Sequence, residues 1–133
     1  MRSPVQSAIE ISDVPELCSR LLRETNALAV MVLGEEGQIV GHAGAPGALT
    51  DAVVDGVGDA AGEVLLRAAA RNAAPPSEAD EQVALVGTTQ VCAAPLGAKA
   101  VLVVVFDDPA NLNQVKLRMK RARELLLRTL EAT

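Results

Sequence analysis

Three side chains in this 133-residue sequence have the chemistry for nucleophilic or metal-binding work: Cys18, His42 and Cys92. His42 is the only histidine, and the two cysteines lie far apart along the chain. Neither a His-x-x-x-His nor a Cys-x-x-Cys spacing occurs, so no helical turn or tight loop presents two metal ligands together. A Cys92–His42 pair would combine a thiol with a base, but no third residue is marked out to orient the imidazole. The residue types favour small core thiols and a half-exposed strand histidine. The sequence therefore predicts no catalytic residue, no metal site and no cofactor.

Nucleotide chemistry fares no better. Gly56-x-Gly58-x-x-x-Gly62 misses the dinucleotide-binding spacing by one position and falls inside a helical pattern, not at a strand-to-helix turn. Asp55–Gly58 and Asp59–Gly62 each fit the short D-x-x-G pattern, but no phosphate-binding G-x-x-x-x-G-K-[ST] loop accompanies them. The glycines read better as geometry. Each costs a helix about 1 kcal/mol relative to alanine, a loss that close approach of another surface can offset. That surface is either the chain's own sheet or the same helix of a second copy. The second option makes Gly58, Ala61, Gly62 and Leu65 candidate dimer-interface residues.

Those residues need a scaffold, and hydrophobic periodicity supplies one. Residues 1–12 read as a flexible arm, followed by a single domain over 13–133. Asp13 and Glu16 have capping-box spacing with Pro15 in the first turn, which starts a helix over Val14–Thr25. Ala27–Leu33 and Gln38–Gly44 form a hairpin around Gly34-Glu35-Glu36-Gly37. A long helix follows over Leu49–Ala73, stopped by Pro75-Pro76 and a polar loop to Glu81. Strands Gln82–Gly87, Gln90–Pro95 and Ala100–Phe106 come next, joined by connections short enough to force antiparallel neighbours. A last helix spans Asn111–Leu130. No internal repeat is visible. The order αββαβββα predicts an α/β (α+β) fold: a five-stranded antiparallel sheet in the order 2-1-5-4-3, with Val101–Phe106 central and helices on its faces.

Composition narrows the function. Phe106 is the only aromatic residue and the net charge is −5, so neither base stacking nor phosphate neutralisation is available and nucleic acid is excluded as a partner. The charge is uneven. Residues 1–110 hold 15 acids and 6 bases, whereas residues 111–133 hold 6 bases and 2 acids. Asp51, Asp55, Asp59 and Glu63 recur at four-residue steps and continue into Arg67 and Arg71. Such a row drifts about 40° per step around a helix. It is either solvated surface or an acidic docking surface for a protein partner. Lys116, Lys120 and Arg123 share one side of the last helix, with Arg118 and Arg121 beside its core stripe, and their stems can cover the sheet edge. Without aromatic residues beside them, membrane insertion is not expected. No apolar run reaches transmembrane length and no signal-peptide pattern opens the sequence, so a cytoplasmic protein with reduced thiols is expected.

The hairpin Ala27–Gly44 and above all Cys92–Leu127, where an apolar strand ending in Phe106-Asp107-Asp108 leads into a basic helix, resemble the roadblock / dynein light chain family. The likeness is to its bacterial MglB-type branch, the partners of a Ras-like polarity GTPase. That resemblance implies a homodimer in which third strands pair across the interface and second helices pack together, adding Val83 and Leu85 to the candidate interface. It implies partners such as another roadblock protein, a Ras-like GTPase or a response-regulator-like polarity protein, and recruitment to a cell pole. MglB-like activators carry a C-terminal extension that this sequence, ending at Thr133, does not show. The expected function is accordingly a non-catalytic adaptor in a small-GTPase polarity or motility system. Direct activation of the GTPase and small-molecule sensing are the alternatives; the aliphatic core argues against the latter.

Overall fold

The computed structural model describes residues 4–34, 36–44, 49–70, 81–96, 100–108 and 111–132, with side chains described over 14–34, 36–44, 49–67, 81–96, 100–108 and 111–128. The elements are α1 (Pro4–Thr25), β1 (Ala29–Gly34), β2 (Ile39–Gly44), α2 (Asp51–Ala70), β3 (Gln82–Val86), β4 (Thr89–Leu96), β5 (Ala100–Phe106) and α3 (Leu112–Ala132). The strands form one antiparallel sheet in the order β2-β1-β5-β4-β3. The predicted topology is thus the observed one. Helices α1 and α3 cover one face and α2 the other. The Pro75-Pro76 loop, the end of the second helix beyond Ala70 and the Gly97-Ala98-Lys99 connection lie outside the described residues.

The reason for that topology is visible in β5. Every one of its residues is buried, so it needs neighbours on both edges and cover on both faces. Alternation sends Val101, Val103 and Val105 toward α2, and Leu102, Val104 and Phe106 toward α1 and α3. β1 is equally buried and pairs beside it, with Val32 opposite Leu102. β2 is mostly exposed and takes the edge. Small side chains let the layers approach: a Cβ added at Gly41 in β2 would stand 2.6 Å from Val14 Cγ1 of α1.

The start of α1 corrects the sequence reading. Residues 4–12, expected as an arm, continue the helix toward the N-terminus, so Asp13 is not its cap and Pro15 lies inside it. No glycine or proline interrupts Val5–Val14, and a helix once nucleated adds hydrogen bonds residue by residue. Pro15 still removes one i→i−4 bond, a loss that packing of the following turns must offset. Val14, Leu17, Cys18 and Leu21 are all buried in the core between α1, α3 and the sheet. The helix ends where expected. Asn26 adopts φ 54°, and the Ala27 N–H donates to Leu22 O at 3.3 Å, closing the last turn through a left-handed residue.

Candidate interaction surface

At one end of the sheet, β3 pairs only with β4 among the described residues. Gln82, Ala84 and Val86 stand opposite Ala93, Val91 and Thr89, and Ala84 and Val86 pack under α2. The alternate residues Val83 and Leu85 emerge on the α3 face, where they are 39% and 69% exposed. No lysine, proline or bulge blunts this edge, the usual protection of a free strand. Both sequence-predicted residues of β3 are therefore at the surface, on a strand with no second partner among the described residues.

Helix α2 is positioned over β3, β4 and β5. Thr50 caps it, its Oγ1 accepting from the Val53 N–H at 3.3 Å, and Asp51 in the first turn suits the positive end of the helix dipole. Val53, Val57, Ala60, Ala61 and Val64 point into the core. Ala61 is 5% exposed, so its side chain is already committed to the core. Leu65 packs half-buried beside that cluster.

The three glycines do different things. A Cβ at Gly56 would stand 2.7 Å from Val86 Cγ2, so Gly56 is what lets α2 come down onto β3. Gly58 and Gly62 have nothing within 4 Å. Two residues on, Gly58 lies about 200° around the helix from Gly56, on the flank away from β3. Gly58 and Gly62 therefore lie away from the flank of α2 that faces β3. The acidic row also divides. Asp51 and Asp55 accompany Gly58 and Gly62, whereas the spiral carries Glu63 to the β3 flank, where it pairs with Arg67 at 3.3 Å. All four acids of the candidate docking row are exposed.

Helix α3 faces β4 and β5 through Val115, Met119, Ala122 and Leu126. Arg123 covers the sheet edge as its position suggested. Its Nε–H donates to Pro95 O at 3.2 Å, and its guanidinium lies 3.8 Å from Glu81. That Glu81 side chain is 6% exposed, although the sequence places it at the end of a polar loop. Nothing in its neighbours along the chain signals burial, because the cation that receives it comes from α3. Pro95 lies beyond the last β3–β4 pair among the described residues, Gln82 with Ala93, which suits a residue that has no N–H to give to a ladder. On its other side α3 sends Arg118 toward Glu24 of α1 at 4.0 Å.

The residues with catalytic potential are not brought together. Cys18 and Cys92 are free and buried. Burial pushes the Cys18 thiol up to about 11. Burial pushes Cys92 up to about 12, reinforced by the Glu81 charge and opposed by Lys116. Thiols held protonated in this way are poor nucleophiles and poor ligands. His42 is exposed on β2, opposite Met31. No group of three His, Cys, Asp or Glu residues able to hold a metal occurs among the described residues. Among them, no helix is long and apolar enough to cross a membrane.

A five-stranded antiparallel sheet in this order, with α2 on one face and α1 and α3 on the other, is the roadblock/LC7 fold. A roadblock/LC7 domain from Streptomyces avermitilis superposes with a TM-score of 0.59 at 16% identity, over 90% of this chain and 98% of that one. The likeness extends further to MglB. Myxococcus xanthus MglB gives a TM-score of 0.68 at 25% identity, covering 93% of this chain and 99% of that chain. The gliding protein MglB from Thermus thermophilus gives 0.69 at 29%, covering 93% of each. The chain is MglB-like in fold. No family model matches the sequence, and no curated protein matches it.

Proposed function

We propose that this chain is a non-catalytic adaptor in a small-GTPase system of the gliding-motility type, working as a homodimer that binds other regulators. The observation that carries the reading is the β3 edge, unblunted and bearing exposed Val83 and Leu85 beside the flank of α2 where Gly56 packs. Edge-to-edge pairing of β3 with its copy extends two sheets into one and satisfies backbone groups that a monomer leaves to water. The twofold then brings together the α2 flanks carrying Ala52, Gly56, Glu63 and Arg67. Gly58, Gly62, Asp51 and Asp55 stay outside that contact, free for a different partner: another roadblock protein, a Ras-like GTPase or a polarity protein. The likeness to a gliding protein supports the setting.

The test is sedimentation of the purified chain followed by co-elution with a Ras-like GTPase and a roadblock relative encoded nearby. A dimer that V83D/L85D converts to a folded monomer is expected, together with retention of one of the two proteins. A wild-type monomer, or a dimer indifferent to V83D/L85D, overturns the β3 assignment. Phosphate release by the GTPase in the presence of the chain decides between adaptor and activator. A multiple-fold rise replaces the adaptor reading.

A further inference from the structure

On the face of the sheet opposite α2, helices α1 and α3 run side by side and leave a groove of about 210 Å³ between them. Its floor is apolar, made by the buried Leu17, Leu21 and Ala122, and the more exposed Leu125 lines its side. Its rim is cationic, with Arg20, Arg118 and Arg121 against a single acid, Glu24. Glu24 lies 4.0 Å from Arg118, and the Gln114 side-chain oxygen accepts from the same guanidinium at 3.0 Å once its amide is oriented to suit. Arg20 and Arg121 are exposed and have no charged partner among the described residues.

We infer that this groove docks an acidic amphipathic helix of a partner protein, with one large apolar side chain in the slot and carboxylates on Arg20 and Arg121. Size points away from a small molecule, because ligand pockets run to roughly 300–1,000 Å³, and toward a single anchoring side chain. Charge decides the rest. Two guanidiniums without a charged partner among the described residues stand in a chain of net charge −5, and arginine forks match carboxylates in geometry as well as in sign. A membrane surface fits less well, since the apolar residues sit at the bottom of a groove and no aromatic stands beside the cations to insert. A partner helix completes a third layer position against α1 and α3 in the way amphipathic helices enter apolar grooves.

The probe is a fluorescent alanine-based helical peptide with a central leucine flanked by glutamates, compared with the same peptide carrying lysines. The glutamate peptide is expected to bind the full chain, with an affinity that falls as salt rises, and the lysine peptide is not. R20E/R121E, at two exposed positions, is expected to weaken binding about tenfold, while R20K/R121K restores most of it. Equal binding to wild type and R20E/R121E overturns the proposal, as does no binding of the glutamate peptide below about 1 mM. Two further outcomes also overturn it by naming another occupant: sedimentation with phosphatidylserine vesicles that R20E/R121E abolishes, or a change in the chain's own molar mass in that variant. The groove is separate from β3, so V83D/L85D should bind the peptide like wild type. Loss of the dimer and loss of the groove are thereby read separately.

Discussion

The Arg123 guanidinium stands 3.8 Å from the Glu81 carboxylate, and the two side chains are only 11% and 6% exposed. This pair ties α3 to the start of β3, the strand whose far edge has no partner among the described residues. Removing the cation leaves a carboxylate out of water, which costs far more than an exposed pair contributes. R123A should destabilise the chain by about 3 kcal/mol, at the lower end for a buried pair, because Glu81 retains a further interaction. Urea denaturation measures it. E81Q/R123M, which removes both charges, should recover most of the loss. A double variant as unstable as R123A would show that packing of the arginine stem, not the ion pair, holds β3 in place.

Glycine substitutions separate the two flanks of α2. Gly58 and Gly62 are exposed in a helix with open space where a Cβ would go. Each change to alanine should raise monomer stability by about 1 kcal/mol. Gly56→Leu should lower it by about 1–3 kcal/mol, because Val86 occupies the space its side chain needs. Gly58→Leu should leave the dimer intact if subunits meet along β3 and the Gly56 flank. A clean monomer after Gly58→Leu would restore the interface read in the sequence and remove the one proposed here.

That contrast marks how far the sequence was legible. The strand order followed from local information: Val101–Phe106 is too apolar to be anything but central, and Thr88-Thr89 is too short a link for anything but an antiparallel pair. The glycine spacing showed that a surface comes close to α2. It did not show that Gly56 and Gly58 serve opposite flanks, because that depends on where the helix rests on the sheet. Residues 4–12 read as an arm because a proline looks like a start signal, whereas Pro15 is an interior residue of a longer helix. Glu81 and the α1–α3 groove were invisible for one shared reason. Each is made by residues from distant segments, so no window of sequence contains both sides.

Alkaline pH should expose the buried thiols. Cys18 and Cys92 are raised from 9.0 to about 11 and about 12, so between these values the folded chain holds protons that the unfolded chain has released. Stability from this source is fully present below pH 9.0 and is lost as pH rises through the folded-state values. C18A/C92A should flatten the fall in Tm above pH 9.0, although it starts lower because it leaves small cavities. An unaltered alkaline slope in that variant would assign the loss to other groups. Iodoacetamide at neutral pH should label both thiols only after denaturation.

The acids of α2 offer the sharpest separation between solvated surface and docking surface. Asp51 occupies the first turn, where lysine opposes the helix dipole at a cost of about 0.3–1 kcal/mol. Asp55 and Asp59 lie beyond that turn and are exposed, so their reversal should change stability by no more than about 0.5 kcal/mol each. D55K/D59K is therefore the variant to use, with D51N added to avoid the dipole. Its fold should match wild type, since neither acid pairs with a cation among the described residues, and its molar mass is measured alongside because Asp59 lies about 20° around the helix from Ala52, at the border of the flank assigned to the dimer. Capture of the GTPase or roadblock relative at low ionic strength should fall about tenfold, and the difference should shrink as salt rises toward the range where the Debye length is below about 8 Å. Salt dependence carries the decision. Undiminished capture by D55K/D59K at low salt would mean that the row is ordinary solvated surface, and the docking role would pass to the Arg20–Arg121 groove or to the β3 edge.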